Sequence, residues 1–237
     1  FDVPPFDRPA DFVALRHPHE YPFNDGRIVS GDGLDIPAAA FPEHFEERQV
    51  AWSTALQAVR LPAGVPYSVG PLARLNLCRD SLPPQAARAA ARLEWPVVNP
   101  FRSIVARAIE IVAACEEGLR IARTWTKPGD RPRAPVAFRE GVGCHATEAP
   151  RGLLWHRYAI DARGLVSAAS IVPPTSQNQA RIEADLRALL PGLLPHDDAT
   201  VTLRCEQLIR SYDPCISCAT HFLRLSIERG GDGIIRR

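Results

Sequence analysis

The alternation of apolar and polar positions divides the chain into an extended beginning, a helical middle, and a hairpin followed by two further helices. Phe1 to Pro9 keeps no period. The turn-rich runs His17-Pro18-His19-Glu20-Tyr21-Pro22 and Asn24-Asp25-Gly26-Arg27 then flank short strands such as Arg27–Ser30, so residues 1–40 read as extended and proline-punctuated. A first helix is predicted over Phe41 to Arg60: Pro42 suits its first turn, Glu43, Glu46 and Glu47 lie where the helix dipole favours acids, and Pro62 stops it. Its apolar positions Phe45, Val50, Trp52, Leu56 and Val59 keep helical period only loosely. A loop through Pro66–Gly70 leads to the short apolar segment ending near Leu77.

An Ala-rich helix follows over about Pro84–Leu93, ended by Trp95-Pro96, and the longest helix runs from about Pro100 to Thr126 behind the N-cap candidate Asn99. Phe101, Ile104, Val105, Ala108, Val112, Cys115, Leu119 and Ala122 fall on one broad stripe of it, which predicts that face as core and Cys115 as a small core hydrophobe, with Glu110, Glu116 and Glu117 on the surface. A basic, proline-rich loop covers Lys127 to Pro135. The glycine-rich run 141–152 allows close approach of backbone, in an order that does not fit a dinucleotide fingerprint. Leu153–Ile160 and Leu165–Val172 form a hairpin around Asp161-Ala162-Arg163-Gly164. After Pro173-Pro174, Thr175 or Ser176 caps a helix through Leu190 with Ile182, Leu186 and Leu189 on its apolar face, and a last helix, roughly Ala199–Arg210, leads to Asp213-Pro214-Cys215-Ile216-Ser217-Cys218-Ala219-Thr220-His221.

Composition narrows the classes. At 237 residues the chain can bury a real core. Lys+Arg 28 against Asp+Glu 27, a net charge of +1, gives no electrostatic case for nucleic acid or an anionic membrane, and no apolar run spans a bilayer. Six dispersed cysteines suit a reducing cytoplasm better than a secreted disulfide framework. Met is 0 and position 1 is Phe, which leads us to expect the downstream part of something longer.

The chemistry concentrates in the last motif. A Cys-x-x-Cys turn sets two sulfurs at the spacing one soft metal ion needs, and His221 follows at the same interval. On spacing alone the options are a zinc knuckle completed by Cys205, a redox pair, or a structural pair. His17, His19 and Glu20 form a second cluster, read as a solvated loop.

Two motifs, Glu148-Ala-Pro-Arg-Gly152 and Asp213-Pro-Cys-x-x-Cys-x-x-His221, with Pro173-Pro-Thr-Ser-Gln-Asn178 and Gly26-Arg-Ile-Val29, resemble the large, catalytic subunit of nickel–iron hydrogenases, most of all the cytoplasmic bidirectional NAD(P)-linked type. The resemblance covers this whole chain, residues 1–237, and about the C-terminal half of the family's subunit. It implies a mainly α fold with a small α+β part: a helical core with a β-hairpin and short N-terminal strands.

It also implies nickel, iron carrying cyanide and carbon monoxide, and magnesium. Cys215 is then the terminal nickel ligand, Cys218 the bridging one and His221 a magnesium ligand. Arg151 stands over the open metal position as base or electrostatic partner, oriented by Asp213 and walled by Pro150. Thr175 donates to a cyanide, and Pro173 and Pro174 line the pocket. The first Cys-x-x-Cys pair of the family is absent, so the chain alone is expected to be inactive. Residues 222–237 resemble a tail removed after nickel insertion. Implied partners are an iron–sulfur small subunit, carrier-reducing NAD(P)-linked subunits, a maturation protease and nickel-insertion proteins. The alternative from another class is a hydrogenase-derived scaffold without metal chemistry.

Overall fold

The computed structural model describes residues 3–126, 137, 139–215 and 226. The strand near the N-terminus, β1 (Val13–Arg16), lies at its centre and is buried on both sides. Successive side chains of a strand point to opposite faces. Ala14, together with Phe12, therefore enters a helical core with Leu72, Leu75, Ala86, Ala106 and Ile109. Val13 and Leu15 enter a second core with Ile28, Phe41, Tyr67, Leu153 and Trp155.

β1 pairs antiparallel with β2 (Arg27–Ser30), and β2 pairs with β3 (Asp35–Ile36). The helical side is built from α2 (Pro71–Cys78), where only a short apolar segment was expected, and from α3 (Pro84–Ala90) and α4 (Ser103–Thr124), which lie close to the expected spans. Asn99 does act as a cap: its side chain accepts from Phe101 N at the short 3-10 turn that precedes α4. On the other side, β6 (Gly141–Ala149), β7 (Gly152–Ile160) and β8 (Val166–Val172) form an antiparallel meander, followed by α5 (Pro174–Leu193) and α6 (Asp198–Ser211). The β7–β8 turn falls where Asp161–Gly164 predicts it. The Asp161 carboxylate accepts from the N–H groups of Arg163 and Leu165, and Gly164 takes the positive φ of 78°.

Several expectations are corrected. The helix over Phe41–Arg60 is instead one turn, α1 (Phe41–His44), followed by a hairpin of β4 (Phe45–Arg48) and β5 (Gln57–Arg60). Aromatic packing accounts for the difference. Phe41 stacks between Trp155 at 4.9 Å and Phe45 at 4.6 Å, and Phe45 lies 4.9 Å from Tyr67. That column buries Phe45 while Trp52 and Leu56, on the expected apolar face, stay exposed. The glycine-rich run 141–152 is strand and turn, with Ala146 at the edge of the second core. With three sheets among the described residues, strand takes a larger share than a mainly α fold implies.

The expected face of α4 is also turned. Ser103, Ala106, Ile109 and Ala113 are buried and Val105 and Val112 pack against the same core, whereas Ile104, Cys115 and Leu119 are exposed. Glu110 and Glu116 are not free surface: Glu116 accepts the first N–H groups of α3, from Gln85 and Ala86. At α5, Pro173 holds the cap position, and Thr175 and Ser176 lie inside the first turn with Gln177 and Asn178, all buried. Of the apolar face read for this helix, Ile182 is buried and Leu186 and Leu189 are half-buried. No helix among the described residues is long and apolar enough to cross a membrane.

Burial pushes the Cys78 thiol up to about 12, and its Sγ donates to Leu15 O at 3.2 Å. Cys205 is raised by burial too. Iodoacetamide at pH 8 should therefore modify Cys115 in the native chain and reach Cys78 and Cys205 only on unfolding. Peptide mass mapping showing Cys78 labelled as fast as Cys115 would contradict this packing.

Candidate functional site

The two motifs meet at one place. Arg151 occupies the tip of the β6–β7 hairpin, where Ala149 pairs with Gly152 and only Pro150 and Arg151 lie between. Two-residue hairpin turns favour backbone conformations with φ above zero at their first central position, which proline cannot adopt. A Pro150-Arg151 turn is therefore a poor hairpin turn on its own and needs outside support.

That support is Arg74, on α2 and 4% exposed. Its guanidinium has five N–H donors and all five are used. Nη1 donates to Ala149 O at 3.0 Å and Glu148 Oε2 at 2.7 Å; Nη2 donates to Pro150 O at 3.0 Å and Glu110 Oε2 at 2.7 Å; Nε donates to Glu110 Oε1 at 2.7 Å. The second oxygen of Glu148 accepts Leu15 N–H at 2.8 Å, and Tyr21 donates its hydroxyl to Glu110 at 2.7 Å.

Burial alone would lower the Arg74 pKa, but the charges of Glu148 and Glu110 outweigh it and hold the guanidinium well above its ordinary value. Burial pushes the Glu148 carboxyl up, with Arg74 and the Leu15 N–H pulling it back. Burial, then the Glu110 charge, raises Tyr21.

Glycines close the turn from the other side. Gly70 (φ 105°) and Gly152 (φ 136°) bring their backbones together, so that a Cβ on Gly70 would lie 2.7 Å from Arg151 O and one on Gly152 would lie 2.8 Å from Gly70 N. The first turn of α5 fastens the same seam. Asn178 accepts Val69 N–H at 2.9 Å and donates to Val69 O at 3.2 Å, while Gln177 donates to Leu153 O at 2.6 Å and Val172 O at 3.2 Å.

The cysteine motif arrives from α6. Tyr212, the C-cap, donates its hydroxyl to the fully buried Asp185 at 2.5 Å, and burial with the Asp185 charge raises its pKa. Asp185 also faces Arg8 and Arg181, each at 3.1 Å. Asp213 then takes a φ of 49°, in the left-handed region that helix C-termini usually give to glycine.

This conformation aims the Asp213 carbonyl at Arg151, whose Nε donates to it at 2.6 Å; the Asp213 carboxylate lies 3.5 Å from the same nitrogen. The side chains are 41% and 44% exposed, and the terminal nitrogens of the guanidinium donate to no described residue. Cys215 N–H donates to Thr175 Oγ1 at 3.3 Å, with Thr175 buried.

Arg151, Asp213, Cys215 and Thr175 are thus brought together. Pro150 is exposed at the turn, Pro174 is buried and Pro173 is half-buried at the start of α5. Cys218 and His221 lie outside the described residues, as do the basic loop at 127–135 and the tail apart from position 226. The donor chemistry fits a soft cation: two thiols three residues apart, the first anchored through its backbone. Among the described residues no group of three or more His, Cys, Asp and Glu side chains is placed to hold a metal, around Cys215 or around His17, His19 and Glu20.

Sequence reading missed Arg74, Glu110, Tyr21 and Asp185. The available signal was an arginine inside the apolar run Pro71-Leu-Ala-Arg-Leu75.

A family model described as nickel-dependent hydrogenase matches residues 64–221. The chain is 31% identical over 201 residues to the sulfhydrogenase 1 subunit alpha of Pyrococcus furiosus, covering 84% of this chain and 46% of that protein. It is 32% identical over 197 residues to the NAD-reducing hydrogenase HoxS subunit beta of Cupriavidus necator, covering 76% and 40%. An NAD+-reducing NiFe hydrogenase solved in the H2-reduced state superposes with a TM-score of 0.77 at 23% identity, over 91% of this chain and 51% of that one, which shows a shared fold. The chain therefore spans about half the length of the relatives it matches.

Replacing Gly152 by Ala should cost roughly 2 kcal/mol or more, from the left-handed backbone and the clash with Val69 and Gly70. Denaturant unfolding checks this, and a loss below about 0.5 kcal/mol would mean the seam is looser than described.

Proposed function

The chain belongs to the nickel-dependent hydrogenase family, and on that premise we propose that it is the C-terminal part of a catalytic large subunit that interconverts H2 with protons and electrons. The observation that carries the reading is Arg151, held by the Asp213 carbonyl at 2.6 Å in the segment that leads to Cys215, with terminal nitrogens that donate to no described residue. An ordinary structural ion pair would spend those donors on protein acceptors. Here the buried arginine, Arg74, does so, and Arg151 does not among the described residues.

Cys215 and Cys218 are two of the cysteine ligands in this proposal, and the remaining pair comes from polypeptide outside this sequence. A nickel–iron pair held there supplies a Lewis acid that polarises H2. The residues of this chain do the rest. Arg151 sets a planar positive charge over the open side, able to hold or pass a proton at its terminal nitrogens. Asp213 fixes the guanidinium plane through its carbonyl and balances the charge through its carboxylate. Thr175, whose oxygen accepts from Cys215 N, keeps its hydroxyl proton for a cyanide on iron that also carries carbon monoxide. Pro150, Pro173 and Pro174 limit access of water, and His221 binds magnesium.

The tail 222–237 is removed by a maturation protease after nickel insertion. The assembled enzyme is a cytoplasmic complex with an iron–sulfur small subunit and NAD(P)-linked subunits. The exposed apolar residues of α4, Ile104, Ile111 and Leu119, support a further polypeptide packing on this side.

The test is metal content after co-expression with the upstream half and hydrogenase maturation proteins. Nickel should be retained by the parent protein and lost in Cys215→Ser or Cys218→Ser. Arg151→Lys should keep nickel and lower hydrogen turnover on the order of a hundredfold, because an ammonium cannot reproduce a planar guanidinium. No nickel in the parent, with the tail intact, would return the scaffold reading; full turnover in Arg151→Lys would remove that residue from the mechanism.

A further inference from the structure

We propose that Arg74 is a positioning residue for Arg151, acting through the backbone of the Ala149–Pro150 turn; this rests on the role given to Arg151 above. Three observations converge. The turn contains a proline at a position that disfavours tight hairpins, so its geometry is imposed from outside. Two of the five Arg74 donors go to the carbonyls of the two residues immediately before Arg151, at 3.0 Å each. The other three are held by Glu110 and Glu148, so the fork cannot rotate without breaking a charged bond.

Gly70, at the mouth of α2, abuts Arg151 O from the opposite side. The Arg151 backbone is therefore gripped between the start of α2 and a side chain one turn further along the same helix. A displacement of α2 would shift Arg151 relative to the Asp213 carbonyl, which the contact of Tyr212 with Asp185 holds at the end of α6. An ordinary structural arginine would only stabilise the fold, whereas this one also sets where the Arg151 guanidinium meets Asp213.

The test reads that meeting point directly and needs no metal. In the 15N-arginine-labelled full chain, the Arg151 Nε–H resonance, assigned with Arg151→Lys, should be shifted downfield and slow to exchange because of its bond to Asp213 O. Arg74→Lys, which keeps the charge but loses the fork, should speed that exchange about tenfold, the effect of losing roughly one hydrogen bond's worth of restraint. Ile36→Ala, in the second core on β3, serves as a control for general destabilisation and should leave the resonance in place.

If Arg74→Lys does not fold, Glu110→Gln weakens the same grip and should move the same resonance by less. An unchanged Arg151 signal in the folded Arg74 variant, or in Glu110→Gln, overturns the proposal, as does an equal change in Ile36→Ala. In the assembled enzyme, Arg74→Lys should lower turnover at full nickel content and add nothing to Arg151→Lys. Additive losses would overturn positioning through Arg151, whereas an Arg151→Lys enzyme with full turnover overturns only the catalytic reading and leaves the resonance test standing.

Discussion

A buried guanidinium with every donor satisfied is the constraint around which this chain is arranged. Placing Arg74 in an apolar core costs several kcal/mol unless its charge is paired and its hydrogens are bonded. The groups that do this are Glu110 of α4, Glu148 of β6 and the carbonyls of Ala149 and Pro150. Two segments far apart in sequence, α4 and the end of β6 with its turn, must therefore converge on α2. The two carboxylates bring further partners with them, the Leu15 amide of the central strand and the Tyr21 hydroxyl. The two hydrophobic cores supply most of the driving force, and this network selects which surfaces of them face each other.

A second buried charge, Asp185, does the same for the other half of the site. It holds Tyr212 and with it the end of α6, so the backbone leaves the helix in the left-handed conformation at Asp213. The Arg151–Asp213 contact is therefore the meeting of two separately anchored segments, each exposed at its tip and tied down one or two residues earlier. Such an arrangement gives a positively charged group a fixed position without burying it, as a group that must interact with something outside the chain requires.

Much of this was legible in the residues. The Asp161–Gly164 turn, the Asn99 cap and the helices from Pro84 and Pro100 followed from local turn, cap and proline chemistry, and each lies near its expected bounds. The grouping of Arg151, Asp213, Cys215 and Thr175 was legible only through resemblance, since nothing in the spacing of positions 151, 175 and 213 brings them together. What failed did so for nonlocal reasons. Phe41 and Phe45 suit one helical face equally well, but stacking on Trp155 made a strand of the second. The stripe on α4 was a true amphipathic signal set partly off the buried face: Phe101 is buried and Val105 and Val112 pack against the core, but Ala106, Ile109 and Ala113 form its centre and Ile104, Cys115 and Leu119 are exposed. Glu110 looked like surface because its partner lies 36 positions away.

The claim on which the account rests is that this frame is part of the cooperative fold of the chain itself. Native-state hydrogen exchange measures it most directly, at two amides whose acceptors are side chains rather than ladder partners: Leu15 N–H on Glu148 and Val69 N–H on Asn178. Both should exchange only through global unfolding, with protection that falls with denaturant as steeply as the stability of the whole chain. Exchange of either amide through a local opening, insensitive to denaturant, would show that the frame closes on Arg151 only after something else has bound.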